Sequence, residues 1–301
     1  MSDALSATGV ALRPDELIAL RQVAMTAEAD PVLAALPGGF STRRKGHGLE
    51  VADMREYVDG DDLRHLDRGT TARTGRLHVR QFQEERDRIT LFVADFRQAM
   101  FWGLRRVFLS AAAAETLARI GWTFVELVLR VILLAITPQR PVVVAPRGRA
   151  RGMRDVIGGL VEAHAEGLSA VRSGQEDDLP LDIALSRVDR LVPSGAEIVI
   201  ASGFDNGGTG LVDRLDALAR RRKPQLVLVT DAEASRMPAG RYPLRLSDGR
   251  LVTVNLGRAE AGAATTVREI AGRRALEVNA SAPVQDTARR IAAAFPLDRA
   301  A

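Results

Sequence analysis

In the stretch RITLFVADFRQAMFWG (Arg88–Gly103) an apolar run ends on Asp95 and then passes into a helical pattern. A carboxylate at the carboxyl end of a parallel strand sits where open α/β sheets gather ligands, so Asp95 could hold a metal ion. The same carboxylate could instead accept backbone N–H bonds as a helix cap. A second group, Asp61, Asp62, His65 and Asp67, puts three carboxylates and an imidazole within seven residues. These are donor types that a metal-dependent hydrolase uses. The glycine-rich SGFDNGGTG (Ser202–Gly210) lacks the Lys-Ser/Thr of a phosphate-binding loop, which argues against intrinsic ATPase activity. It reads as a loop over the carboxyl edge of a sheet. His47, His65, His78 and His164 form no H-E-x-x-H spacing.

Elements that could position these groups follow from the apolar pattern. Leu17, Ile18, Leu20, Val23 and Ala24 recur at helical spacing behind Pro14, predicting a helix to about Glu28. After the break LPGGF comes a polar, glycine-punctuated block, and from Arg88 onward strands and helices alternate. Strands are expected near 88–94, 129–137, 140–145, 196–202 and 225–230, and helices near 104–120, 151–166, 181–191 and 209–221. AEIVIAS and PQLVLVT are apolar on consecutive residues, as strands covered on both faces must be. The fold class is therefore α/β, a doubly wound, mostly parallel sheet. Ser247-Asp248-Gly249 joins two alternating runs as a hairpin within Tyr242–Leu256, and helices are expected near 264–275 and 284–295. Three parts result: 1–87, an N-terminal helix and charged block; 88–235, the α/β domain; and 236–301, a small α+β extension.

Composition narrows the function classes. The chain has 301 residues, 46% hydrophobic and 27% charged, enough to bury a substantial core. It has no cysteine, which excludes disulfides, thiolate metal ligands and a cysteine nucleophile, and fits a reducing compartment. The start MSDALSATGV carries no basic-then-apolar leader pattern, and a cytoplasmic location is expected. The longest apolar stretch, Trp122–Ile136, contains Glu126 and Arg130 and is shorter than the roughly 20 residues a membrane helix needs. It reads as a helix end plus a buried strand, without membrane insertion. The basic runs STRRKGHG and ARRRKPQ hold no aromatic residue for stacking on bases, so no nucleic-acid partner is expected.

Residues Gly46–Asp87 are dense in Arg, Asp, Glu and Gly. Opposite charges at short spacing invite Arg-carboxylate pairing, although such a block can also be a solvated face. Gly46, Gly48, Glu50, Arg55, Glu56, Tyr57, Gly60, Asp61, Asp62, Arg64, Asp67, Ala72, Arg73, Phe82, Glu85 and Arg86 stand in a fixed order. That order resembles the signature of the bacterial domain-of-unknown-function 58 family, in which it precedes a von Willebrand factor A-like domain. Arg68 stands where the family usually has Trp, and Leu66 where it has Ile. The resemblance covers roughly residues 40–230 and extends only loosely to the tail.

The resemblance implies a von Willebrand factor A-like, Rossmann-like sheet and, often, an adhesion site for Mg²⁺. Asp95 matches the first ligand of such a site, but Arg97 and Ala99 occupy its two serine positions. Leu179 or Pro180 stands at the threonine position, and Gly203 at the second aspartate, with Asp205 two residues late. A single clear carboxylate does not make a Mg²⁺ site, so no cofactor and no metal are expected. Arg97 either pairs with Asp95, meets an acidic group of a partner, or is simply exposed, exposure being the default.

The family picture further implies a non-enzymatic adaptor for a MoxR-type AAA+ ATPase and a protein client. Its working surface would comprise Asp95, Arg97, Gln98, Gly203, Phe204 and Asp205, with the block 55–67 nearby. Arg55, Glu56, Tyr57, Gly60, Asp61, Asp62, Arg64, Asp67, Arg73, Glu85 and Arg86 would serve structure or partner contact. The alternatives are a scaffold without an ATPase partner, and a hydrolase built on Asp61, Asp62, His65 and Asp67.

Overall fold

The computed structural model describes residues 7–30, 51–58, 66–82, 89–126, 129–174, 178–238, 240–245, 251–256 and 267–295. The chain divides into two compact units, one of residues 1–42 and 88–297, the other of 43–87 with 298–301.

The larger unit is built on a seven-stranded sheet. Its strands are β3 (Ile89–Asp95), β4 (Arg130–Ile136), β5 (Val142–Gly148), β6 (Glu197–Ser202), β7 (Lys223–Thr230), β10 (Val267–Ile270) and β11 (Arg273–Asn279). Their order is β10-β11-β7-β6-β3-β4-β5. The five central strands from β11 to β4 run parallel, and the edge strands β5 and β10 pair antiparallel. A further antiparallel pair, β8 (Gly240–Arg245) and β9 (Leu251–Leu256), matches the expected hairpin; its turn at Ser247–Gly249 lies outside the described residues.

Consecutive apolar residues on the central strands feed two separate cores. Phe92, Ala94, Leu133 and Val199 face one side with α3 (Leu109–Glu126), α4 (Arg149–Arg172) and α8 (Val284–Ala294). Leu91, Val93, Ile132 and Ile198 face the other, with α5 (Leu181–Ala184), α6 (Val188–Leu191) and α7 (Leu211–Ala219). Each of the Val, Leu, Ile and Phe side chains among them, once fully buried, contributes about 1.5–3 kcal/mol. The stretch Trp122–Ile136 divides as read from sequence into the end of α3 and the buried β4.

Two expectations need correction. Of the helix expected at 264–275, residues 264–266 lie outside the described residues, and from Val267 onward β10 and β11 form a hairpin through Ala271 (φ 50°) and Gly272 (φ 72°). Two successive positive φ values make the tight turn that suits the strand twist, and β11 then pairs with β7 inside the main sheet. The N-terminal helix α1 (Pro14–Thr26), grouped by sequence with the charged block, packs instead on the α/β unit. Its Leu17 and Leu20 are buried in the first core, and the Leu17 carbonyl accepts from Trp122 Nε1 at 3.1 Å.

The smaller unit contains strands where only polar residues had been read. β1 (Val51–Glu56) pairs antiparallel with β2 (His78–Phe82), and α2 (Arg68–Thr74) lies between them in sequence. Among the described residues no helix is long and apolar enough to cross a membrane.

Candidate functional site

The chain runs from β3 to one neighbour, β4, and later returns to the other, β6, so the strand order reverses at β3. Such a reversal opens a crevice at the carboxyl ends of the two diverging strands. Asp95 is the last residue of β3 and Ser202 the last of β6, and both are buried. Ser202 Oγ donates to Asp95 Oδ2 at 2.6 Å.

The expected exposure of Arg97 is wrong, because its side chain turns back under the edge and is buried, with 1% of its surface accessible. Nε donates to Asp95 Oδ1 at 2.9 Å and Nη2 to Asp95 Oδ2 at 2.8 Å, a bidentate pair. Nη2 also donates to the Asp205 carbonyl at 2.8 Å. Nη1 donates to the carbonyls of Asn206, at 2.9 Å, and Leu179, at 3.2 Å. These bonds use all five N–H donors of a guanidinium. One cation thus ties together the ends of β3 and β6 and the loop before α5.

Electrostatics agree with the geometry. Burial alone would depress the Arg97 guanidinium, but the hydrogen bond and charge of Asp95, with the charges of Asp178 and Asp205, raise it above its ordinary value. Arg97 is a fixed positive charge at the carboxyl end of β3, paired with the buried Asp95.

The loop after β6 is shaped to meet it. Phe204 (φ 59°) and Asn206 (φ 46°) adopt the left-handed conformation, uncommon for non-glycine residues. That path turns the carbonyls of Asp205 and Asn206 toward Arg97. Ser202 Oγ accepts from the Phe204 N–H at 2.8 Å, and Gly203 N–H donates to Met100 Sδ at 3.1 Å. A side chain on Gly203 would approach the Asp205 carboxylate to 2.7 Å.

Of the residues expected to form a working surface, the structure gathers all six at one edge but buries Asp95 and Arg97. Gln98, Gly203 and Phe204 are partly buried, and Asp205 is exposed. Sequence reasoning missed Ser202, Asn206 and Asp178. Asp178 approaches from the loop before α5, where the backbone N–H groups of Gln98 and Ala99 partly offset the effect of burial on its carboxyl. It missed Asp231 as well, a buried aspartate just beyond β7 whose carboxylate accepts from Leu104 N–H and Ser281 Oγ, each at 2.8 Å.

The family described as "Protein of unknown function DUF58" matches residues 53–273. The chain belongs to the DUF58 family. This DUF58 protein is similar to the uncharacterized proteins Rv1480 of Mycobacterium tuberculosis (strain ATCC 25618 / H37Rv) and Mb1516 of Mycobacterium bovis (strain ATCC BAA-935 / AF2122/97). Each is 37% identical over 81 residues, a match covering 25% of this chain and 26% of the relative. The chain thus spans about a quarter of the length of the curated relatives it matches. Among solved structures it is similar to the conserved hypothetical protein BatB from Bacteroides thetaiotaomicron, at a TM-score of 0.42 and 11% identity. That match covers 69% of this chain and 98% of BatB.

Within the family signature of this DUF58 protein, Asp67 is buried and its Oδ1 accepts from Thr70 N–H at 2.7 Å, capping α2. Its own N–H donates to the His78 carbonyl at 2.8 Å, locking the helix start to β2. Glu56 pairs with Arg76 at 2.7 Å on the surface, and Tyr57 N–H donates to the Leu77 carbonyl. Arg55 lies on β1, and Arg73 is exposed on α2. Gly60, Asp61, Asp62, Arg64, His65, Glu85 and Arg86 lie outside the described residues. Among the described residues no group of three or more His, Cys, Asp or Glu is placed to hold a metal ion.

Two aspartates at the DUF58 sheet edge carry strain of their own. Burial raises the Asp178 carboxyl above its ordinary value, and partial desolvation of the otherwise exposed Asp205, with the nearby Asp95 charge, raises that one. A carboxylate whose folded value is raised destabilises the fold at neutral pH. Asp178→Asn and Asp205→Asn should therefore each raise the unfolding midpoint at pH 7 in a thermal melt. A fall in both variants would contradict this electrostatic picture.

Proposed function

We propose that this DUF58 protein is a non-enzymatic binding module with a von Willebrand factor A-like domain, acting as an adaptor for a MoxR-type AAA+ ATPase and a protein client. The observation that carries the reading is the Arg97 guanidinium, which holds the loops of the carboxyl edge together through Asp95, Leu179, Asp205 and Asn206. A prearranged edge binds without waiting for a cation, and its binding is constitutive.

Three further points support a binding role over a catalytic one. Asp67, a member of the suspected hydrolase cluster, spends Oδ1 on a helix cap. Ser110 and His164 are 3.0 Å apart but buried between α3, α4 and the aromatic rings of Phe96 and Phe101, away from any substrate. The exposed surface at the edge combines Asp205 with the apolar side chains of Leu179, Ile183 and Val212, a combination typical of contact surfaces. The ATPase partnership itself is inferred from the family resemblance.

The test is recovery of tagged protein from its native cytosol with ATP, ADP or a non-hydrolysable analogue, followed by mass spectrometry. Nucleotide-dependent recovery of a MoxR-type ATPase, surviving EDTA once the complex has formed, is the expected result. Recovery of a different stable partner with no ATPase would replace the adaptor by a scaffold. Turnover of a phosphoester or peptide, lost in Asp67→Asn with the fold intact, would overturn the non-enzymatic reading.

A further inference from the structure

The basic run ARRRKPQ (Ala219–Gln225) ends α7 and enters β7, so it lies at the amino edge of the sheet, opposite the edge organised by Arg97. Along β6, from Glu197 to Ser202, five steps of about 3.3 Å put the two edges roughly 17 Å apart. Two arginines at this amino edge serve the fold. Arg222 Nε and Nη2 donate to the Val192 carbonyl at 3.2 and 2.8 Å, and its Nη1 to Asp189 Oδ1 at 2.7 Å. Arg214 Nη2 donates to the Leu185 carbonyl at 2.8 Å and lies 2.7 Å from Asp189 Oδ2. Both carboxylate oxygens of Asp189 are thereby spent on guanidiniums.

Arg220 and Arg221 take no part in that network. With Asp189, Ala217 and Arg222 they line a cleft of about 490 Å³. Both are exposed, and among the described residues neither guanidinium pairs with a carboxylate. Three arginines against one carboxylate leave the lining a formal excess of two positive charges. The dipole of α7 favours cations here, but a helix end carries only about half an elementary charge, too little to account for the excess. A cleft lined by one sign of charge concentrates ions of the other sign, so the occupant is an anion. No aromatic side chain lines the cleft, and nucleic-acid bases have nothing to stack on. No large apolar side chain is exposed in 186–196 or 214–225, so a bilayer would gain no apolar burial there. Carboxylates fit, because the guanidinium fork pairs with them bidentately.

We propose that this cleft docks an acidic segment of a protein partner, whose Asp or Glu side chains pair with Arg220 and Arg221. The Arg222–Asp189–Arg214 network forms the floor beneath them and holds α7 against α6. The cleft lies at the amino edge, so the protein can hold this segment and a partner at the carboxyl edge at the same time. The inference stands apart from the reading of the carboxyl edge and from the ATPase partnership.

The experiment is fluorescence anisotropy of a labelled hexaglutamate peptide titrated with the full-length protein at about 50 mM and about 300 mM salt. Saturable binding is expected at the lower salt, weakened at the higher. The double variant Arg220→Ala/Arg221→Ala should weaken it about tenfold, the effect of removing two exposed ion pairs. The control is Arg151→Ala/Arg154→Ala, which removes the same charge from exposed positions at the start of α4 and should weaken binding less than about twofold. All four side chains are exposed, and circular dichroism confirms that both variants keep the fold. Absence of saturable binding, or a loss no greater in the cleft variant than in the control, would overturn the proposal. So would capture of phosphatidylserine vesicles or duplex DNA through Arg220 and Arg221 with hexaglutamate ignored, which would assign the cleft to another class of partner.

Discussion

Arg97→Ala lowers the free energy of unfolding by about 3–5 kcal/mol, the range for breaking a buried ion pair by deleting one partner. The deletion strands Asp95 in a buried position and leaves the carbonyls of Leu179, Asp205 and Asn206 without their donor. Arg97→Lys should recover little, because an ammonium has three donors and no planar fork to reproduce a bidentate pair. Arg105→Ala is the control: Arg105 pairs with Glu233 at 2.9 Å while 71% exposed, and its loss should cost less than about 1 kcal/mol. Urea unfolding of the three variants measures the contrast. A loss at Arg97 no larger than at Arg105 would mean that the guanidinium does not organise the edge.

The second large effect is set by pH and acts through His164. Burial holds its imidazole down at about 4, against an ordinary value of 6.5, and Ser110 Oγ lies 3.0 Å from Nε2. Below pH 6.5 the unfolded chain takes up a proton that the folded His164 refuses. Stability present above pH 6.5 is therefore lost progressively down to about pH 4, where the folded residue protonates too. The full loss amounts to about 3 kcal/mol. Asp178 and Asp205, raised in the folded state, act in the opposite sense, since acidification relieves them. The difference between native protein and His164→Gln isolates the histidine. Urea midpoints from pH 7.5 down to 4 should fall more steeply for the native chain, and parallel curves would contradict the assignment.

Much of the sheet was legible because its central strands are covered on both faces. Consecutive apolar residues in ITLFVA, VILLAI, EIVIAS and QLVLVT have that one physical explanation, and they became β3, β4, β6 and β7. The β10–β11 hairpin was hidden because REIAGRRAL carries charged residues on its exposed positions and a helix-favouring Ala at the turn. The positive φ at Ala271 and Gly272, with the strand pairing on either side, distinguishes the turn from a helix. β1 (VADMRE) and β2 (HVRQF) were equally obscure, since they mix apolar and charged residues without a regular alternation.

At the site, the position of Asp95 was readable and the fate of Arg97 was not. Its acceptors are main-chain carbonyls 82 to 109 residues away, and a carbonyl leaves no trace in residue identity. The clue available was a basic residue two positions after a strand-end aspartate, together with a turn-forming Phe-Asp-Asn loop ending a parallel strand. Ser202 was read as the end of β6, although its hydroxyl both donates to Asp95 and accepts from Phe204.

The proposal at the centre is that Arg97, and no bound cation, holds the loops of this edge together. Calorimetric titration of Mg²⁺ into the native protein, paired with thermal melts in Mg²⁺ and in EDTA, tests it most directly. The account predicts no saturable heat and the same unfolding midpoint in both conditions. A saturable Mg²⁺ site tighter than about 1 mM, with a stabilisation abolished by Asp95→Ala, would contradict it.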